Sequence, residues 1–277
     1  MTTAELTLSR RLPDSAERHQ GAAMVRLESV VKRYGSFEAV CGLDLEVPRG
    51  EIFGFLGPNG AGKTTTIRMV AGILQPTSGR VIIGGHDMAS SPEEAKSRIG
   101  YIPDRPYLYE KLSGGEFLRF VAGLWGREGR EAEVRAERLL ELFHLTEWRD
   151  ELIESYSHGM RQKLLIISAL IHQPELIVVD EPMVGLDPRA ARLLKDLLRA
   201  YVDDGGTVFL STHTLEVAEA LCDRIAIIRS GQVIARGTMA ELRNEAADGD
   251  ASVDLEEIFL KVTGGNEMAS VIESLLR

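Results

Sequence analysis

G-P-N-G-A-G-K-T, residues 57–64, combines three glycines with a lysine and a threonine at short, fixed spacing. It fits G-x-x-x-x-G-K-[ST], in which glycines let the backbone wrap a phosphate so that successive N–H groups point inward. A helix beginning near Gly62 adds its positive end, Lys63 reaches the outer phosphates, and the Thr64 hydroxyl can ligate Mg²⁺. A chance glycine-rich turn is the alternative, but an apolar run precedes the stretch and a helical pattern follows it. We predict a phosphate site formed by Gly57, Pro58, Asn59, Gly60, Ala61, Gly62, Lys63, Thr64 and Thr65.

A second stretch, L-I-V-V-D-E at 176–181, could supply the acidic half of the same site. An apolar run that ends in an acid predicts a buried strand with Asp180 at the carboxyl edge of a sheet, beside the phosphate loop. There Asp180 can hold Mg²⁺ directly or through water. Glu181 can orient or deprotonate an attacking water, although taken alone it could be a strand-end surface charge.

His213 ends the next strand pattern, in S-T-H at 211–213, and should stand on the same edge of the sheet. It could contact a γ-phosphate or hold the water. A lone histidine at a strand end is more often plain surface, but the position one strand after Asp180 favours a functional role.

The elements that must position these residues can be read from the pattern of apolar residues. Alternating strands and helices imply a parallel sheet covered on both faces. Residues 1–23 are polar and aperiodic and are interpreted as a loose extension, and the pattern from about 238 onward is helical and acidic. Strands are predicted at about 24–34, 38–47, 51–56, 77–85, 176–180, 207–211 and 224–229, and helices at 62–74, within 113–172, at 188–204 and at 214–221.

Composition limits the function classes. Hydrophobic residues make up 44% and charged residues 27% of the 277 residues, as in ordinary soluble proteins. The longest apolar run, 164–171, is far short of the roughly 20 residues of a membrane helix, and the N-terminus has no secretory pattern. The net charge of −10 argues against a nucleic-acid partner, which usually leaves a basic footprint.

Together these residues resemble the ATP-binding subunit of an ABC transporter, over about 24–243. The specific part is the order of further motifs: K-R-Y-G with Tyr34, I-G-Y-I-P-D with Asp104, and V-G-L-D-P with Asp187. The resemblance implies that Tyr34 stacks on adenine, that Asp187 touches an opposite subunit, and that His213 is the switch histidine. It also implies that Asp104, where the family has glutamine or glutamate, lies in the loop that senses the γ-phosphate and joins Thr64 and Asp180 around the metal.

The resemblance also implies the fold, an α/β P-loop NTPase with a RecA-like core, an antiparallel β subdomain and a helical subdomain. The expected organisation is an extension over 1–23, an ATP-binding domain over 24–243 and a helical tail over 244–277. The helical subdomain is expected at about 105–172.

Two stretches compete for the family's signature loop, L-S-G-G-E at 112–116 and Y-S-H-G-M at 156–160. In the family the signature opens the helix that leads directly into the acid-ending strand. Only Gly159 lies one helix and one turn before Asp180. We therefore assign the signature, which acts across a dimer, to Ser157, His158 and Gly159, although the family usually has glycine at the position of His158. L-S-G-G-E is then an ordinary helix start in which Ser113 and Glu116 form a capping box.

The function implied by the resemblance is ATP hydrolysis that powers a separate integral membrane permease. Two ATP·Mg²⁺ close a head-to-tail dimer with a second ATP-binding subunit, identical or different, and Glu181 acts as the base. The chain would be cytoplasmic, held at the inner face of the membrane through the permease, without nucleic acid. Y-S-H-G-M and the ending L-E-E-I-F-L-K-V-T-G-G, 255–265, favour export. The alternatives are a soluble ABC-type ATPase acting on ribosomes or nucleic acid, and a regulatory subunit that hydrolyses ATP poorly.

Overall fold

Two sheets organise the computed structural model, which describes residues 23–246 except 106, 182, 184 and 185, together with Phe259. The smaller sheet is antiparallel and runs in the order β2-β1-β4-β5. Its first two strands form a hairpin in which Tyr34 pairs with Phe37. The strands of this sheet are β1 Val25–Tyr34, β2 Phe37–Val47, β4 Ser78–Ile83 and β5 His86–Asp87.

The larger sheet has the order β10-β9-β3-β8-β7-β6 and is parallel except for β10, which is antiparallel to β9 at one edge. Parallel strands end at the same edge of a sheet, so the ends of β3, β7 and β8 lie side by side. All residues of these three strands are buried, as expected where helices and a second sheet cover both faces. The strands are β3 Ile52–Leu56, β6 Ile99–Ile102, β7 Leu176–Asp180, β8 Thr207–Thr212, β9 Arg224–Arg229 and β10 Gln232–Thr238.

The two faces of the parallel sheet belong to different buried clusters. Alternate side chains of a strand point to opposite faces, and Phe53 and Phe55 pack with α1 and the antiparallel sheet. Ile52 and Leu56 pack on the other face with the remaining long helices. The helices are α1 Lys63–Val70, α2 Pro92–Lys96, α3 Gly114–Leu124, α4 Arg130–Leu142, α5 His158–Leu170, α6 Pro188–Asp203, α7 Leu215–Leu221 and α8 Met239–Ala246, with 3-10 turns at Thr146–Trp148 and Ile153–Ser155.

Most predicted elements are confirmed, with differences in length and number. The first helix ends at Val70 and not at 74, because Gly72 takes a left-handed conformation with φ +69°. The sequence analysis missed α2, β5, β6 and β10. The middle region is helical as expected, and it is divided into α3, α4 and α5. The helical pattern after 238 is confirmed as far as Ala246. Residues 1–22 of the predicted extension and most of the tail lie outside the described residues.

The capping box predicted for L-S-G-G-E is confirmed. The Ser113 hydroxyl accepts the Glu116 N–H at 3.2 Å, and the Glu116 carboxylate accepts the Ser113 N–H at 2.8 Å. This reciprocal pair satisfies two backbone donors at the start of α3. Within the part of the chain that the structure describes, no helix has the length and apolar character needed to cross a membrane.

Candidate functional site

The phosphate loop connects the end of β3 to the start of α1, and its glycines are required by the space around them. Gly62 immediately precedes α1 with φ +108°, and a Cβ there would lie 2.6 Å from the Ala39 carbonyl oxygen. A Cβ on Gly57 would overlap the carbonyl of Ile228. The backbone therefore passes close to two neighbouring strands, where a side chain at either position would clash.

Lys63 is the first residue of α1 and is only 6% exposed. Its ammonium donates to the carbonyls of Gly57 at 2.6 Å and Pro58 at 3.2 Å. Burial lowers the pKa of Lys63, and the carboxylates of Glu181 and Asp180 oppose that shift. A buried cation at the start of a helix, beside a glycine-rich loop, suits a polyphosphate, which supplies several negative charges to such a site.

Asp180 ends β7 and is 1% exposed. Its Oδ1 accepts from the Ser211 hydroxyl at 2.5 Å and from the Thr64 hydroxyl at 3.4 Å. Its Oδ2 is buried without a hydrogen-bond partner in the described structure. Burial raises the pKa of Asp180, and the charges of Asp104 and Glu181 add to that effect. An orphaned carboxylate oxygen beside a threonine hydroxyl fits the oxygen ligands that Mg²⁺ prefers.

This donor set is small. Among the described residues, no group of three or more His, Cys, Asp or Glu side chains could hold a metal. A site with few protein ligands is typical of Mg²⁺ bound together with substrate phosphates and water, and atypical of a closed protein cage.

Glu181 and His213 face each other at the same edge of the sheet. His213 Nδ1 lies 2.9 Å from Glu181 Oε1, and their side chains are 52% and 17% exposed. The Glu181 backbone has φ +52°, a conformation that costs a non-glycine residue about 1–3 kcal/mol. Its N–H donates to the Ser211 carbonyl at 3.2 Å and to the Ser211 hydroxyl at 3.3 Å. The carboxylate is therefore held from the backbone side and from the histidine side.

A cleft of about 430 Å³ joins these groups to the antiparallel sheet. The predicted residues that line it are Tyr34, Asn59, Gly60, Gly62, Lys63, Thr64, Thr65, Asp104, Glu181 and His213. Phe37 and Ala39 also line it and were missed by the sequence analysis. The detectable signal for Phe37 was its position just after the turn formed by Gly35 and Ser36, which places it opposite Tyr34 in the hairpin. Gly57, Pro58, Ala61 and Asp180 lie in the loop or behind it and do not form the cleft wall.

The predicted signature residues lie apart from the cleft of their own chain. Ser157 caps α5 by accepting the Met160 N–H at 3.3 Å, and His158 and Gly159 open the helix. Ser157 and His158 are exposed, and none of the three lines the cleft. A helix N-terminus carries positive partial charge and unpaired N–H groups, so this end of α5 is suited to an anion.

Asp187 has a structural contact that the sequence analysis did not predict. It caps α6 by accepting the Ala190 N–H at 2.8 Å, with Pro188 in the first turn. This backbone hydrogen bond lowers the pKa of the Asp187 carboxyl. Like the start of α5, the residue lies outside the cleft of its own chain.

A glycine-rich loop between a buried strand and a helix, with an acid at the end of a neighbouring strand, defines a P-loop NTPase. Comparison with known proteins gives the family. Residues 40–184 match the family model described as ABC transporter. The chain therefore belongs to the ABC transporter family, as an ATP-binding subunit.

Two relatives and one solved structure illustrate the similarity. The chain is 43% identical over 225 residues to the daunorubicin/doxorubicin resistance ATP-binding protein DrrA of Streptomyces peucetius, covering 81% of this chain and 68% of that protein. It is 36% identical over 253 residues to the Nod factor export ATP-binding protein I of Cupriavidus metallidurans, covering 91% and 80%. A solved ATP-binding subunit of an ABC transporter superposes with a TM-score of 0.81 at 33% identity, covering 86% of this chain and 99% of that one.

These findings confirm the predicted family and the predicted fold, a P-loop NTPase with an antiparallel β subdomain and a helical region. The chain is an ATPase, and ATP is its nucleotide. A role on ribosomes or nucleic acid is not favoured.

Proposed function

We propose that this chain hydrolyses ATP·Mg²⁺ to drive export by a separate integral membrane permease. The observation that carries the hydrolytic part is the meeting of Lys63, Asp180 and the Glu181–His213 pair at one edge of the sheet, beside the phosphate loop. The relatives named for drug resistance and for Nod factor export support the direction of transport.

Nucleotide binding is assigned to the loop and the aromatic hairpin. The N–H groups of the loop and the Lys63 ammonium would hold the phosphates, and half-exposed Tyr34 would stack on the adenine. Lys63 would exchange its carbonyl partners for phosphate oxygens, which are better acceptors because they are charged. Phe37 offers a second aromatic surface on the same hairpin.

Metal binding is assigned to the Thr64 hydroxyl and to the unpartnered Oδ2 of Asp180, with Asp104 reaching the metal through water. Bound Mg²⁺ would neutralise charge on the β- and γ-phosphate oxygens. The Ser211 hydroxyl occupies Oδ1 of Asp180, so the carboxylate keeps one oxygen available for this ligand role.

Proton transfer is assigned to Glu181. Its carboxylate lines the cleft and can accept the proton of an attacking water. His213 would donate its Nδ1–H to Oε1, which fixes the direction of the carboxylate. The left-handed backbone at Glu181 turns the chain at the point where the side chain must enter the cleft.

A second ATP-binding subunit would complete each site. Ser157, His158 and Gly159 present the start of α5 away from the cleft of their own chain, and Asp187 presents the start of α6. In a head-to-tail dimer these helix ends would meet the nucleotide and the opposite chain. The second subunit can be an identical or a different chain.

The assignment of the signature to 157–159 predicts different outcomes at two helix caps. Ser113→Ala and Ser157→Ala each remove a hydroxyl that accepts a backbone N–H, so each should lower the free energy of unfolding by about 1 kcal/mol. Only Ser157→Ala should also lower ATP turnover, by about tenfold or more, because its hydroxyl is assigned to the partner's γ-phosphate. Urea unfolding and steady-state phosphate release measure the two effects. Equal loss of turnover in both variants would contradict the assignment.

The permease partner can be tested directly in the native membrane. The tagged chain is isolated from detergent-solubilised membranes of its own host, with the tag alone as control, and co-purifying proteins are quantified by mass spectrometry. A polytopic membrane protein in near-equal amount is expected and would show that a permease holds the chain at the membrane. Ribosomal proteins in its place would favour the soluble ATPase.

A regulatory subunit is the second candidate, and Asp104 is the observation that favours it. This residue lines the cleft where the family has a longer side chain, and His158 replaces the usual glycine. A carboxylate shorter by one methylene could weaken the link between the γ-phosphate and the permease. Steady ATP turnover by the purified chain alone would reject this candidate.

A further inference from the structure

Ser211 lies between the two acidic residues of the site, on the neighbouring strand. It is fully buried in β8, and the pairing of β7 with β8 places it opposite Asp180. Its hydroxyl donates to Asp180 Oδ1 at 2.5 Å. The Ser211 hydroxyl oxygen also accepts the Glu181 N–H, at 3.3 Å. One hydroxyl therefore contacts both residues at once.

The contact with Asp180 sets which carboxylate oxygen is free. A serine hydroxyl has a single proton to donate, and here that proton goes to Oδ1. The terminal torsion of aspartate is broad, so a hydrogen bond of this kind decides its orientation. The other oxygen, Oδ2, is left buried and unpartnered in the described structure. This is the oxygen assigned above to the metal.

The contact with Glu181 acts on the backbone. Glu181 leaves the strand with φ +52°, which is an unfavourable conformation for a residue with a side chain. Its N–H is held by both the carbonyl and the hydroxyl of Ser211, at 3.2 Å and 3.3 Å. Loss of the hydroxyl would remove one of these two acceptors at the residue that must aim a carboxylate into the cleft.

We propose that Ser211 is a positioning residue for the ATPase reaction, orienting Asp180 toward the metal and Glu181 toward water. The proposal rests on the roles assigned to those two residues in the proposed function. The competing explanation is that Ser211 is an ordinary buried serine whose hydrogen bonds stabilise the sheet and nothing more.

Ser211→Ala separates the two explanations. Residues that orient metal ligands typically change metal affinity or activity by about 10–100-fold, so kcat at saturating ATP and Mg²⁺ should fall about tenfold. The half-maximal Mg²⁺ concentration should rise about fivefold or more. Ser211→Thr, which keeps a hydroxyl, should recover most of kcat. Ser168→Ala is the matched control, because Ser168 is also buried and its hydroxyl donates only within α5, to Leu165 at 2.7 Å.

A binding measurement keeps the test independent of turnover. The dissociation constant for ATP is measured with Mg²⁺ and with EDTA. The value in EDTA divided by the value in Mg²⁺ should shrink about fivefold in Ser211→Ala and remain unchanged in Ser168→Ala. Thermal unfolding of every variant checks that the fold is intact. A folded Ser211→Ala protein with wild-type kcat and a wild-type Mg²⁺ ratio would overturn the proposal. A wild-type chain without turnover would count against the proposed function, while the Mg²⁺ ratio would still decide the role of Ser211.

Discussion

Glu181→Gln is expected to lower kcat by about 10²–10⁴-fold while ATP affinity stays within about twofold of the wild type. The amide has nearly the same size as the carboxylate and occupies the same position in the cleft, but it cannot accept a proton from water. The lysine, the loop and the metal ligands are unchanged, so binding should survive. Steady-state phosphate release measures the first effect, and equilibrium titration with a fluorescent ATP analogue measures the second.

Glu216→Gln is the matched control for this substitution. Glu216→Gln makes the same chemical change on the exposed first turn of α7. Glu216 is close in sequence to His213 but lies outside the cleft. Its turnover should be that of the wild type. If Glu181→Gln also turned over ATP within about threefold of the wild type, the assignment of the base would be wrong, because general-base catalysis contributes far more than that.

Lys63→Ala is expected to weaken ATP binding by about 100-fold or more, since several charge-assisted hydrogen bonds to phosphate are lost together. The effect of the substitution on the stability of the nucleotide-free protein should be much smaller. Burial lowers the pKa of Lys63, as expected for a cation whose charge is costly to bury before phosphate binds. Lys63→Ala should therefore lose most of its affinity for ATP while the stability of the nucleotide-free fold stays nearly unchanged.

Thermal unfolding with and without ATP·Mg²⁺ measures both effects in one experiment. The wild type at 100 times its dissociation constant should gain about 2.7 kcal/mol of stability from ATP, and Lys63→Ala should gain almost none. Lys195→Ala, on the partly exposed face of α6, is the control and should behave as the wild type. ATP-induced stabilisation of Lys63→Ala equal to that of the wild type would contradict the role of Lys63.

The sequence could predict those parts of the site whose geometry depends on residues that are close together in the chain. G-P-N-G-A-G-K-T carries its own turn, cradle and helix start within 57–64, and L-I-V-V-D carries a buried strand and its terminal acid. The capping box of L-S-G-G-E was also written locally, since Ser113 caps α3 through a reciprocal hydrogen bond with Glu116. In each case neighbouring residues determine the geometry.

The parts that were missed depend on contacts between distant segments. Phe37 lines the cleft only because the antiparallel sheet packs beside the phosphate loop. Ser211 meets Asp180 only through the register of β7 against β8, which the sequence does not display. The four residues of β6 are too few to show a period, and β10 alternates half-buried and exposed residues as an edge strand that the apolar pattern does not single out.

The left-handed backbone at Glu181 has an evolutionary consequence. Glycine adopts φ +52° without steric strain, so a glycine at this position would relieve strain of about 1 kcal/mol or more. Glutamate and glycine codons differ by a single nucleotide, and the relaxed protein would lack the carboxylate assigned to hydrolysis. Selection for stability and selection for transport thus act in opposite directions on this residue. In a lineage that no longer needs the transporter, position 181 should be among the first positions at this edge of the parallel sheet to change to glycine.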